Sequence, residues 1–303
     1  MTSVRDAIDR LSVALGGDVA ACLAATALIE SEALGQTRFG LALLDEWTSG
    51  TKALPPSEGR VVTWHDCSST FSPLAVATAT LNVATTARVH GIGAAFLRGV
   101  RGFGRLSPFV RHLADQGLVG FAAAEGPPFV VPLGGSRPVI GTNPIAFAMG
   151  RDAGRVVIDA ATSTETMAGI RTAKTTGRTL PEGVAVDSEG RPTRIAAEVA
   201  ALLPRGGQIG SLLGLVVELL AGVASGARGD LSGRGVFLLA INPETVDGET
   251  DWRTRLEALQ GDWTDGGGHW PSSGAQTLPA TLDASAVERL DAHLFRMTAE
   301  GNR

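Results

Sequence analysis

Helical and extended patterns alternate between residues 74 and 124, and this alternation constrains the fold more than any other feature of the chain. Leu74 to Arg88 is rich in alanine and helix-prone, and the apolar run Ile92 to Val100 suits a buried strand. Ser107 to Gly117 has the start and stop residues of a helix, and Leu118 to Ala124 is again strand-like. The pattern predicts an α/β protein with helices packed on a sheet.

The two ends of the chain are predicted to be helical. Leu11 and its neighbours repeat at helical spacing, and Asp18 is placed to cap a second helix that runs to about Ala33. Ser285 and Glu288 predict a capping box for a closing helix. We expect a helical N-terminal part, 1–75, which packs with the C-terminal helix, 280–303.

Residues 76–279 are predicted to form a mixed-sheet domain that binds a cofactor. Short strands are expected at Val61 to Trp64, Arg155 to Ala160 and Gly235 to Ile241, and a glycine-led buried helix at Gly207 to Ala221. Residues 250–274 are polar and rich in Trp and Gly, and they predict a loop.

Composition excludes several classes of function. The net charge is −5 and the basic residues are scattered, so a nucleic-acid interface is not predicted. Cys22 and Cys67 have no metal-site spacing, and the first residues are charged rather than signal-like, which favours the cytoplasm and no metal. The longest apolar stretch, Leu212 to Val223, carries Glu218 and is shorter than the roughly 20 residues that cross a bilayer.

A Pro/Gly-rich stretch in the middle of the chain is the best candidate for a ligand-binding segment. Its glycines permit close backbone approach, and its hydroxyl and amide groups suit phosphate or ribose oxygens. Spacing alone leaves open that these residues only make tight turns. No glycine fingerprint of a Rossmann fold, P-loop or zinc-protease motif is present. The candidate residues are Pro132, Gly134, Gly135, Gly141, Thr142, Asn143, Pro144, Asp159, Thr162 and Ser163.

The amino-acid sequence of this stretch resembles that of the malate/L-lactate dehydrogenase type 2 family. This family includes ureidoglycolate and sulfolactate dehydrogenases, diketogulonate reductase and cyclic ketimine reductases. The resemblance rests on VPLGGSRPVIGTNPIAFAMG, VVIDAATS, LPEGVAVDSEGRPT and LGLVVELLAGVASG. It implies a non-Rossmann, sulfolactate-dehydrogenase-like α/β fold, a homodimer and a cleft for NADPH or NADH. It also implies hydride transfer to a small keto or imine acid, with the ten candidate residues on or near the cofactor.

The chain departs from the family where the resemblance places the acid–base site. The family's Ser-His-Gly is matched by Arg38, Phe39 and Gly40, and its carboxylate-binding arginine by Leu43. A second signature, Asn-His-Phe-Gly, appears as Arg101-Gly-Phe-Gly104, and a usual lysine is Ile209. Phenylalanine cannot donate a proton and leucine cannot pair with a carboxylate, so these losses predict altered chemistry.

Replacement groups are available for the missing ones. Arg38 and Arg101 are candidates to bind an anionic substrate along a wall that includes Phe39 and Leu43, or else they face solvent or a cofactor phosphate. The catalytic proton donor is unknown. Its candidates are His90, His112 and His269, each of which has an ordinary structural role as the alternative. His269 stands in the predicted loop with Trp263 and Trp270, which line a pocket or pin the loop.

Three alternative functions are compatible with these observations. The first is an NAD(P)H-dependent oxidoreductase acting on an imine, iminium or keto substrate in specialised metabolism, because an iminium ion already carries its proton. The second is a catalytically silent relative that serves as a partner subunit. The third is a non-redox enzyme that uses the same cleft.

Overall fold

The computed structural model describes residues 2–48, 54–55, 59–230, 233–245, 251–272 and 277–301. The chain begins with a helical hairpin of α1 (Val4–Ala14) and α2 (Val19–Ala33). The side chain of Asp18 accepts a hydrogen bond from the Ala21 amide, which confirms the predicted cap. α2 is apolar on nearly all sides, and it is buried because other helices surround it.

The central sheet has six strands in the order β1-β2-β9-β3-β4-β5. Only β1 and β2 pair in parallel, and every other pairing is antiparallel, unlike the parallel sheet of a Rossmann fold. The predicted mixed sheet is therefore confirmed. The strands are β1 (Val62–Asp66), β2 (Ile92–Val100), β3 (Val119–Ala124), β4 (Ile145–Met149), β5 (Val156–Ala160) and β9 (Arg234–Ile241).

Two helices cover the sheet close to its backbone. α3 (Ser72–His90) and α4 (Ser107–Asp115) fall where the sequence predicts them. A Cβ at Gly93 would lie 2.5 Å from the carbonyl oxygen of Val83, so only glycine lets α3 approach β2 this closely. The predicted boundary at residue 75 falls inside α3 and after β1, so the sheet draws on residues from both sides of that boundary.

A smaller sheet and a fifth helix form a second core. β6 (Ala185–Val186) pairs with β7 (Pro192–Thr193) and β8 (Ala201–Leu202), and α5 (Met167–Thr176) packs beside them. Fully buried side chains that include Ile170, Leu180 and Leu202 hold this unit together. The unit therefore sets the position of α5, which follows β5 directly in the chain.

α6 (Gln208–Val217) continues into a π-helical turn, Glu218–Val223, and is not the buried helix that the sequence predicts. Seven large aliphatic residues of this helix are 43% to 68% exposed: Ile209, Leu212, Leu213, Leu215, Val216, Leu219 and Val223. Only its glycine-bearing side is covered. Apolar composition alone does not reveal whether a helix is covered by its own chain or by another molecule.

The predicted Trp/Gly-rich loop 250–274 is wrong for most of its described residues. Residues 252–265 form α7 (Trp252–Asp265), which Asp251 caps. Gln260 of α7 donates a hydrogen bond to the Ala153 carbonyl, and Trp270 donates one to the Arg155 carbonyl. The segment is therefore fixed to the β4–β5 turn rather than positioned as a mobile cover.

The closing helix α8 (Ala284–Gly301) packs on the N-terminal part. Its cap is Asp283, whose carboxylate accepts from the Ala286 amide, so the predicted capping box at Ser285 is wrong. Arg289 forms an ion pair with the buried Glu32, and Arg296 donates to the Leu44 carbonyl. These contacts fix the 3-10 turns that follow α2.

The described ranges contain neither a membrane-spanning helix nor a cluster of metal ligands. None of the helices there is long and apolar enough to cross a membrane. No group of three or more His, Cys, Asp or Glu side chains in the same ranges is arranged to hold a metal ion.

Candidate functional site

The predicted substrate wall lies on two consecutive 3-10 turns, Thr37–Phe39 and Leu41–Glu46. Buried Glu32 organises them, because its carboxylate accepts hydrogen bonds from the Thr37 hydroxyl and the Leu41 amide. A Cβ at Gly40 would meet that carboxylate at 2.5 Å, so the turn requires glycine there. The ring of Phe39 is left 39% exposed.

Two positions at which the resemblance predicts polar side chains are in direct contact. A Cβ at Gly102 would lie 2.6 Å from Cδ2 of Leu43, so the leucine fills the space that a side chain at 102 would need. These positions lie where the family resemblance puts an arginine and a histidine. The two departures are therefore one local repacking, which makes this part of the wall apolar.

Arg101 is held by its own chain. Its guanidinium lies 3.8 Å from Glu46 Oε2 and donates to the Ser68 carbonyl at 3.4 Å, while its amide donates to Ser72 Oγ. Its side chain is about half exposed. Arg101 is thus neutralised in part by Glu46 before any substrate arrives.

A residue that the sequence analysis missed lies over Phe39. The guanidinium carbon of Arg171, on α5, is 5.8 Å from the centroid of the Phe39 ring. Burial, and then the positive charge of Arg38, lower the pKa of Arg171. The structure therefore brings Arg38, Phe39 and Arg171 together. Nothing in the local sequence of α5 indicated this, because the contact joins the N-terminal part to the second core.

The tip of the Pro/Gly-rich segment is exposed backbone. Gly135 donates to the Pro132 carbonyl at 2.8 Å, which closes a turn whose residue Gly134 has φ +79° and open space around it. The amide of Leu133 donates to Ser211 Oγ on α6. The turn thus presents glycine backbone outward from a fixed base.

Asn143, which lies within this segment, is completely buried and anchors the segment to the rest of the protein. Its side-chain amide accepts from the Gly126 N–H and donates to the Gly214 carbonyl and to Glu218. Asn143 has φ +38°, and a Cβ at Gly141 would lie 2.5 Å from the Gly126 Cα. Two chain segments therefore touch backbone to backbone, and the amide of Asn143 ties them to α6.

Glu218, which accepts from this amide, is one of two buried carboxyl groups in this region. Glu125 and Glu218 are both buried, and Glu218 is also paired with Arg228. Burial, and next the charge of Glu218, raise the pKa of Glu125 from an ordinary 4.5 to about 7. Its Oε1 accepts from the Gly235 amide at 3.1 Å. The sequence analysis did not single out Glu125.

The remaining predicted polar residues bond to protein groups. Thr162 donates to the Thr142 carbonyl at 3.1 Å, and Ser163 donates to the Glu165 carbonyl. Asp159 accepts from the Ser107 amide and lies 3.7 Å from Arg105. Pro144 leads directly into β4. In the structure these polar side chains form hydrogen bonds with backbone groups and thereby hold the chain around the segment in place.

The three candidate histidines are spread over separate elements. His90 is exposed at the end of α3, and His269 is exposed after α7, where its carbonyl accepts from Trp263. His112 on α4 lies against Gln116, and burial lowers its pKa. None of the contacts within the described ranges joins these imidazoles to Phe39, so no proton donor stands out at the wall.

A separate open cleft of about 450 Å³ lies between α7 and the turn after β4. It is lined mainly by residues 150–154 and by one side of α7, including Trp252 and Leu256. It shares no lining residue with the predicted site. Its walls are two surface elements rather than the glycine-rich segment.

Comparison with known proteins places this geometry in a family. Residues 16–265 match the family model described as malate/L-lactate dehydrogenase. A Δ1-pyrroline-2-carboxylate/Δ1-piperideine-2-carboxylate reductase from Pseudomonas syringae is 38% identical over 193 residues, which is 62% of this chain. A (2R)-3-sulfolactate dehydrogenase (NADP⁺) from Chromohalobacter salexigens is 33% identical over 242 residues, or 72% of this chain and 73% of that protein.

The structural likeness extends over nearly the whole chain. The crystal structure of a Δ1-piperideine-2-carboxylate reductase from Pseudomonas syringae matches 98% of this chain and 94% of its own, with a TM-score of 0.74 at 28% identity. The sequence alignment with the reductase from that organism spans only 56% of the reductase's length. The predicted fold class and the predicted resemblance are confirmed, and the chain belongs to the malate/L-lactate dehydrogenase family.

Proposed function

We propose that this protein is an NAD(P)H-dependent oxidoreductase that reduces a small imine or iminium substrate, with the corresponding keto compound as a poorer alternative. The observation that carries the proposal is the apolar wall formed by Phe39, Leu43 and Gly102, in a chain that keeps the glycine-rich segment. Relatives named as Δ1-pyrroline-2-carboxylate reductases support an imine as substrate.

The residues of the central segment fit a dinucleotide. The open space at Gly134 and the outward backbone of Gly135 suit close contact with a pyrophosphate, as does the backbone approach at Gly141. We expect Pro132, Thr142 and Pro144 to lie along the cofactor, with their shape maintained by Asn143, Asp159, Thr162 and Ser163. A nicotinamide cofactor, when bound, supplies the hydride.

The proton balance favours an iminium over a ketone. A hydride that adds to the carbon of C=NH⁺ gives a neutral amine, and no further proton is required. A hydride that adds to C=O gives an alkoxide, which needs an acid. Phe39 occupies the position of the family's acid and cannot provide one. The apolar wall instead leaves the substrate's own proton in place.

Two measurements on the purified chain test the proposal. Titration with NADPH and with NADH, followed by nicotinamide fluorescence, should show saturable binding of at least one. Turnover of Δ1-pyrroline-2-carboxylate should then consume that cofactor. Binding of neither cofactor would contradict the proposal, and binding without turnover of any imine would favour a silent partner subunit.

We also propose that the protein is a homodimer joined through the exposed face of α6. Seven large aliphatic side chains on this helix are 43% to 68% exposed, and apolar side chains gathered on an exposed face are typical of a protein–protein interface. Leu212→Glu with Leu219→Glu should convert a dimer to a monomer in sedimentation velocity. Leu259→Glu, a substitution at an equally exposed leucine on α7, is the control. A wild-type monomer would contradict the proposed interface.

We also propose that the protein lies in the cytoplasm, acts on a small molecule, and binds neither nucleic acid nor a membrane. The net charge of −5 and the scattered basic residues argue against a nucleic-acid partner, and Cys22 and Cys67, which have no metal or redox spacing, fit a reducing cytoplasm. Fractionation of the native host, with the protein recovered from the soluble extract, tests it. Recovery in the membrane pellet would contradict it.

A further inference from the structure

We propose that Arg171 and Arg38, which lie next to Phe39, form the site that binds the carboxylate of the substrate. The inference deepens the proposed function and rests on it. It narrows the substrate class to imines that bear a carboxylate next to the reducible carbon. Arg171 is then a specificity-determining residue contributed by the second core.

Arg171 and Arg38 concentrate positive charge at this point of the surface. Arg171 is half-buried, and Arg38 is close enough that its charge lowers the pKa of Arg171. Within the described part of the chain, neither guanidinium has an ion pair with a carboxylate. Most other buried or half-buried arginines here do have one, including Arg105, Arg111 and Arg155. Two unneutralised guanidiniums side by side are a site for an external anion.

Arg171 is also well positioned to hold a substrate next to Phe39. The Arg171 guanidinium lies over the Phe39 ring at 5.8 Å, and a ring of this kind orients a cation without neutralising it. Phe39 occupies the family's acid–base position, so an anion held here is next to the reacting carbon. Arg101, the other candidate, is already occupied by Glu46 and the Ser68 carbonyl.

The shape of the guanidinium group would also orient the bound substrate. Guanidinium groups bind carboxylates through two parallel N–H bonds, which fix the plane of the ligand as well as its position. The plane of an α-imino carboxylate is shared with its C=N bond. A forked contact at Arg171 therefore orients the imine carbon, while the apolar Phe39 and Leu43 cover its ring.

The test compares substrates with and without the carboxylate. Arg171→Gln should raise KM for Δ1-pyrroline-2-carboxylate by roughly 10- to 100-fold, as expected for the loss of a charged hydrogen-bonded pair. KM for 2-methyl-1-pyrroline, which lacks the carboxylate, should not change. Arg171→Lys keeps the charge without the fork and should give an intermediate KM. Lys174→Gln removes a charge from an exposed position on the same helix and is the control.

A binding measurement separates this inference from the proposed reaction. Calorimetry of the full chain with benzoate and with benzamide measures anion recognition without turnover. Benzoate should bind the wild type and bind Arg171→Gln at least tenfold more weakly, and benzamide should not distinguish them. If cofactor binds and imine turns over but Arg171→Gln leaves KM and benzoate affinity unchanged, the inference is wrong while the function stands.

The cofactor is the alternative source of an anion. If Arg171→Gln weakens NADPH but not NADH, and leaves the carboxylate-dependent KM unchanged, the two arginines bind the cofactor's extra phosphate. That result would overturn the inference. If neither cofactor binds but benzoate still requires Arg171, the anion site stands and the proposed reductase does not.

Discussion

Glu125→Gln is predicted to remove a pH-dependent loss of stability. Glu125 is 6% exposed, and its pKa is raised from 4.5 to about 7 by burial and by Glu218. Glutamine keeps the oxygen that accepts from the Gly235 amide but cannot ionise. The substitution therefore isolates the charge from the hydrogen bond.

The sign and size follow from proton linkage. Between pH 4.5 and about 7 the folded chain keeps a proton on Glu125 that the unfolded chain has lost, so stability falls as the pH rises. The raised pKa corresponds to a loss of about 2.5 kcal/mol of unfolding free energy between roughly pH 5 and pH 8. Buried His65 and half-buried His112 and His293 have lowered pKa values, so they change stability with pH in the opposite direction. Their contribution is the same in both variants and cancels in the comparison.

Urea unfolding across this pH range measures the effect. The difference in unfolding free energy between Glu125→Gln and wild type should grow by about 2 to 3 kcal/mol from roughly pH 5 to pH 8. Glu182→Gln, at an exposed glutamate, should leave the wild-type slope unchanged. A difference that does not vary with pH would refute the placement of Glu125 as a buried, proton-holding acid.

Three further substitutions address the segment and the wall. Asn143→Ala should lower the free energy of unfolding by about 2 kcal/mol, because the buried Gly126 amide and Glu218 carboxylate lose their hydrogen-bond partner. Asn82→Ala, at an exposed site, is the control and should be near neutral in the same chemical denaturation assay. Gly141→Ala should lower the free energy of unfolding by about 1 to 3 kcal/mol and weaken cofactor binding, because its Cβ would collide with Gly126. Gly261→Ala, which has open space in α7, is the control and should raise the free energy of unfolding by up to about 1 kcal/mol. Phe39→His should raise kcat/KM for a keto acid by roughly 10- to 100-fold and leave the imine nearly unchanged; no gain would count against the wall's role.

Local sequence patterns predicted most of the central sheet. The runs at Ile92 to Val100 and Gly235 to Ile241 became β2 and β9 because their apolar residues form a strand buried on both faces. α7 was missed because the glycines around it indicated a loop. A helical repeat of Trp252, Leu256, Leu259 and Trp263 was nevertheless present and would have predicted it.

The candidate site could be predicted only in part from the sequence. Composition and order identified the Pro/Gly segment, since glycine requirements are local properties of the backbone. The contact between Phe39 and Arg171, and the pairing of Glu125 with Glu218, depend on segments far apart in the chain. The exposure of α6 was not predictable either, because an apolar helix looks the same whether its own chain covers it or a partner does.

The most direct test of the account compares an imine with its keto counterpart on the same enzyme. The measurement is kcat/KM of the wild-type chain for Δ1-pyrroline-2-carboxylate and for a keto acid of matched carbon skeleton, read from the absorbance of the reduced nicotinamide. A site with no side-chain acid should prefer the imine by at least about 100-fold, the usual contribution of a positioned proton donor. Equal or faster turnover of the keto acid would show that a proton donor acts beside Phe39 and would contradict the account.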